Sequence, residues 1–130
     1  MFLDEYAREL HQDWEEEARN AVAGLRLADG AHPGDTQIRT VVEMLAERRP
    51  HFARHWARHD VREETTALKN LRHRDVGDLT LRMLAFDVRA SPGQQRVLFQ
   101  ASPGSSSAEA LSLLGALSST RRRAARVDPR

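Results

Sequence analysis

Two spacings of apolar residues meet near Asp60, and the change between them restricts the fold more than any other feature of the chain. Before it, Leu3, Tyr6, Leu10, Trp14, Ala18, Val22 and Leu25 recur in steps of three and four, which lines one face of a helix. After it, Leu79, Leu81 and Met83 alternate, then Leu84, Phe86 and Val88 alternate in the opposite phase, as strands do. The phase switch implies either a bulge near Met83 or a strand buried on both faces.

Local signals divide the helical half. Asp13, followed by Glu15, Glu16 and Glu17, suits a fresh helix start, because carboxylates favour the positive end of the helix dipole, so a break is expected near His11–Asp13. Gly30 and the HPGD turn close that helix. Thr36 or Asp35 caps the next one, whose stripe is Ile38, Val41, Val42 and Leu45, and Pro50 fits the first position of a third. Beyond Asp60, VREETTALKNLRH and DLTLRMLAFDV read as strands. ASPGQQ reads as a turn and RVLFQA as the next strand of an antiparallel hairpin. Ser106 with Glu109 fits a capping box for a closing helix with Leu111, Leu114 and Leu117 on its stripe. Helices, then a small antiparallel sheet, then a last helix make an α+β domain.

A chain of 130 residues has room for one such domain, assigned to residues 1–118, with residues 119–130 as a disordered arginine-rich tail. The tail RRRAARVDPR sets five arginines against Asp128, a charge of +4. With a formal total of +1, residues 1–120 carry −3, so the folded part is no polyanion-binding surface by net charge. The absence of cysteine excludes disulfides, thiolate zinc sites and a cysteine nucleophile. No apolar run approaches the roughly 18 residues of a membrane span and no signal peptide opens the chain, so a cytoplasmic protein without membrane contact is expected.

His51, His55 and His59 stand at intervals of four and share one helical face. The outer two are nevertheless about 12 Å apart along a helix axis, too far to share one ion at metal–nitrogen bonds of about 2.0–2.1 Å. No carboxylate lies between them, and Arg54 and Arg58 oppose a cation. No metal and no cofactor are therefore expected. Phe52 and Trp56 form the buried stripe of this helix, with His51 and His55 at its margin. His59-Asp60 could orient an imidazole for acid–base work, but no nucleophile is marked, and side chains bonding to backbone at a helix–strand junction explain the pair better. Lys69 is the chain's one lysine. It suits either a ligand carboxylate or an edge strand that resists aggregation.

The segments DWEEEARNAVAGLR (13–26), HPGD (32–35), PHFARHWARHDVRE (50–63), LKNLRHRDVGDLTLR (68–82) and ASPGSSSAEALSLL (101–114) form a distinctive series. In this order they resemble the carboxy-terminal ligand-binding domain of the MmyB-like transcription regulators, bacterial proteins in which it follows an XRE-type helix-turn-helix domain. Phe52, Trp56, His59, Asp60, Val61, Lys69, His73, Gly77, Leu79 and Leu81 fall on motif positions, whereas Arg74 stands where the family usually has proline. The resemblance implies a PAS-like sensor fold enclosing an apolar cavity, a fatty-acid-like or other small organic ligand, and a homodimeric regulator. Residues 1–49 hold no convincing helix-turn-helix, so DNA contact is expected only through a domain absent from this sequence.

The expected function is accordingly ligand sensing for transcription regulation and not catalysis. Trp56, Leu81, Phe86 and Phe99 are expected to line the pocket, with His59 or Lys69 as polar anchor. The alternatives are a dimerisation module without a ligand and a small hydrolase using His59 and Asp60.

Overall fold

The computed structural model describes residues 1–61 and 65–127, with the side chain of residue 127 left aside. Its contacts divide the chain into two compact units, Met1–Thr65 and Thr66–Arg130. The first is helical: α1 (Tyr6–Leu10), α2 (Trp14–Ala31), α3 (Thr36–Arg48) and α4 (Pro50–Trp56). The second holds β1 (Thr66–His73), β2 (Gly77–Asp87) and β3 (Gln95–Gln100), then α5 (Ser106–Val127). The α+β class is therefore present in the expected order.

In the helical unit, α1 and α2 separate where the acidic run begins. The Asp13 carboxylate does not cap α2, although its carbonyl accepts the N–H groups of Glu16 and Glu17, both at 3.1 Å. Asp35 does cap α3: its Oδ1 accepts the amides of Gln37 at 2.8 Å and Ile38 at 3.2 Å. Pro50 opens α4, where the amide it lacks would have had no helical partner.

Val22, Leu45 and Phe52 form the centre of this unit, with Leu25, Val42, Met44 and Trp56 packed around them. Phe2 meets Phe52 edge-on at 5.3 Å. Val41, assigned to the α3 stripe from its spacing, is instead exposed, because the α3 face that meets α2 and α4 runs through Val42 and Leu45.

The sheet of the second unit has the order β1-β2-β3, all antiparallel. Gly77, at φ 77°, closes the β1–β2 turn in the left-handed region that glycine reaches without a Cβ penalty. Pairing is continuous from His73↔Gly77 to Thr66↔Leu84 and from Arg82↔Gln100 to Asp87↔Gln95, so no bulge interrupts β2 at Met83. The phase switch has another cause. Leu79, Leu81 and Met83 lie on one face and Leu84 and Phe86 on the other, so β2 carries apolar groups on both faces in its second half. Phe86 is nonetheless 50 % exposed, which excludes burial on both sides along the whole strand.

Two details at the closing helix differ from the sequence reading. Its cap is Ser105 rather than Ser106: Ser105 Oγ accepts the Ala108 N–H at 3.2 Å. The helix also continues through residues 119–127, where alanine and arginine favour helix and no glycine or proline intervenes. Arg121 ties this extension to the β1–β2 turn through a 3.0 Å ion pair with Asp75.

Candidate functional site

The register sorts the expected site residues. Lys69 pairs with Leu81, and Met83 pairs with both Ala67 and Phe99. Residues two apart on a strand share a face, so Lys69, Leu71, Leu79, Leu81, Met83, Ala85, Val97 and Phe99 occupy one side of the sheet. Phe86, paired with Arg96, lies on the opposite side with Leu84, Leu98 and Leu68. Phe86 and Phe99 therefore cannot line one pocket formed on a single face.

The shared face is graded along the strands. Leu79 and Leu81 are buried at its inner end, where α5 packs on β2. Met83 and Ala85 are half-buried, and Val97 and Phe99 at the outer end are 45 % and 49 % exposed. Lys69 sits at the boundary and is only 4 % exposed. Lys69 thus lies buried beside an apolar strip that remains open.

Ser107 fixes α5 against this arrangement. It is buried, and its Oγ accepts the Thr80 N–H at 2.9 Å. β2 extends past the end of β3, so Thr80 has no strand partner on that side, and the hydroxyl supplies the missing acceptor. The sequence reading treated the serine run only as a helix start and missed this role. A serine two residues past a helix cap, following a strand shorter than its neighbour, is the signal that could have found it.

Trp56 and His59 belong to the helical unit. The Trp56 ring is stacked at 5.7 Å on Phe52, and the Arg26 guanidinium lies over it at 3.9 Å. Arg26 Nη2 also donates to the Trp56 carbonyl. Both contacts make Trp56 part of the packing of α2 on α4. His59 is exposed, with φ 58°, and its Nδ1 donates to the Ala57 carbonyl at 2.8 Å. No hydrogen bond joins it to Asp60 among the described residues, so the His–Asp arrangement a hydrolase would need is not formed there.

Of the remaining histidines of α4, the half-buried His51 keeps the expected margin and His55 departs from it. His55 is buried, and its Nε2 lies 3.1 Å from Glu15 Oε1 without hydrogen-bond geometry. His51 meets the edge of Trp14 at 5.5 Å. No group of three or more histidine or carboxylate residues able to hold a metal occurs among the described residues. No described helix is long and apolar enough to cross a membrane. A cavity of about 530 Å³ opens in the helical unit beside Phe2, Trp14 and the α3–α4 corner, and none of the six expected site residues lines it.

The chain is thus a small α+β module with a partly open apolar sheet face and a buried lysine beside it. Residues 1–114 match the family model of the MmyB-like transcription regulator ligand binding domain, and the chain belongs to that family. No curated protein and no solved structure matches it.

Proposed function

We propose that the chain is the effector-sensing domain of a transcription regulator and that a fatty-acid-like or other small organic molecule binds on the sheet face of the second unit. The observation that carries this reading is the open strip of Met83, Val97 and Phe99 next to the buried Lys69. The ligand's apolar body covers the strip, and its acidic group meets Lys69 once the cover of that side chain shifts, with Leu81 beneath. The regulator works as a homodimer, and the DNA is read by an XRE-type helix-turn-helix domain. Binding acts on DNA recognition only through unequal affinity for two conformations of the regulator.

Native mass spectrometry and a thermal-shift series with saturated acyl chains of increasing length test this. Expected are a bound species and a rise in melting temperature that grows with chain length, both lost in Lys69→Met and in Phe99→Glu. Absence of both a bound species and a shift in the unaltered chain would overturn it.

The alternative is the bare dimerisation module, for which the exposed Val97, Leu98 and Phe99 of β3 are the contact surface. The two combine if the dimer forms along β3. Among the described residues this is an edge strand, and it is exposed on both faces.

A further inference from the structure

The cavity of about 530 Å³ in the helical unit has two walls of opposite charge. One comes from the start of the chain and carries Asp4 and Glu5. The other is the corner between α3 and α4 and carries Arg48 and Arg49. These groups share one cavity and do not pair across it. Among the described residues the Glu5 carboxylate and both guanidinium groups make no hydrogen bond or ion pair, and Asp4 uses Oδ1 to accept the Tyr6 amide at 2.9 Å.

Aromatic groups complete the lining. Trp14 meets Phe2 edge-on at 6.1 Å and His51 at 5.5 Å, and the Arg8 guanidinium lies 4.2 Å from the Trp14 ring centre. Glu9 and Arg8 add one charge of each sign, so the lining holds three carboxylates, three guanidinium groups and the α-ammonium of Met1. The volume lies within the roughly 300–1,000 Å³ typical of small-molecule sites.

A simple anion here would satisfy the arginines and be repelled by Asp4 and Glu5. A simple cation would do the reverse, and an acyl chain would leave both walls unanswered. We propose that this cavity binds a free α-amino acid with an aromatic or large apolar side chain, as its zwitterion. Its carboxylate pairs with Arg48 and Arg49, its ammonium faces Asp4 and Glu5, and its side chain rests on Phe2 and Pro50. The site is independent of the sheet-face reading, since neither Lys69 nor Phe99 lines it.

Isothermal titration of the whole chain with L-phenylalanine tests this against N-acetyl-L-phenylalanine, which lacks the ammonium, and L-phenylalaninamide, which lacks the carboxylate. Saturable binding of the zwitterion is expected, at least ten-fold tighter than either blocked form. The Arg48→Gln/Arg49→Gln double variant should weaken the zwitterion at least ten-fold and leave the amide unchanged, with Lys69→Met neutral for all three. No binding of L-phenylalanine at about 10 mM, a concentration well above ordinary small-molecule affinities, would overturn the proposal. So would equal affinity for the blocked forms, or loss of binding in Lys69→Met. The blocked-ligand comparison needs no variant and stands even if the double substitution unfolds the unit. Acyl-chain binding can fail or succeed without altering this outcome.

Discussion

Ser107 Oγ accepts the backbone N–H of Thr80 at 2.9 Å and so takes the place of a strand residue that β3 does not extend far enough to provide. A helix side chain thereby completes the hydrogen bonding of a sheet. Replacing Ser107 by alanine leaves that amide without its acceptor, which costs about 1–3 kcal/mol. Urea unfolding should show the loss as a lower midpoint at an unchanged slope, and the Thr80 amide should exchange with deuterium faster than its neighbours.

Phe52 and Phe86 are both aromatic residues on apolar stripes, but only Phe52 is fully buried, at 1 % exposure. Phe52→Ala should therefore cost about 3–5 kcal/mol, seen as loss of protection across α2 and α4 in hydrogen exchange. Phe86→Ala, on the exposed side of the sheet, should remain within about 1 kcal/mol in the same measurement.

His59 tests whether the end of α4 is a backbone device or a ligand anchor. Its φ of 58° lies in the left-handed region, which costs an ordinary residue about 1–2 kcal/mol. Glycine should restore or slightly exceed wild-type stability despite losing the bond to Ala57. Valine should lower it by about 1–2 kcal/mol. Acyl-chain thermal shifts should be unchanged in His59→Gly.

The Asp75–Arg121 pair makes the far half of α5 sensitive to acid. The hydrogen bond from Arg121 holds the Asp75 carboxyl below its ordinary value, with burial opposing and the positive charges of Arg121, His73 and Arg74 assisting. A carboxyl depressed in the folded state stabilises fully above its unfolded pKa, near about 3.9. The contribution is lost as pH falls through the lower folded value. Backbone chemical shifts of residues 115–126 should move toward coil in that acid window, and Arg121→Gln should remove this part of the pH dependence.

Features set by near neighbours were legible in the amino-acid sequence. The Asp35 cap and Pro50 at the head of α4 involve residues only a few positions apart, and the break before α2 follows from its acidic run. Contacts made over distance were not. The approach of His55 to Glu15 joins α4 to α2, and no spacing rule connects those positions. The phase of β2 showed that it has two apolar faces. Which of them would be covered depended on where α5 packs, so Phe86 was grouped with Leu81 although the register parts them. Trp56 was correctly read as facing inward, but the approach of Arg26, thirty residues earlier, over its ring was not legible.

Lys69 is the one lysine in the chain and is almost wholly covered by its surroundings. An amine-reactive reagent therefore finds a single side-chain target, reachable only when the middle of the sheet opens or its cover shifts. The rate at which Lys69 is acylated is thus a native clock for that opening, readable from peptide masses without an added label.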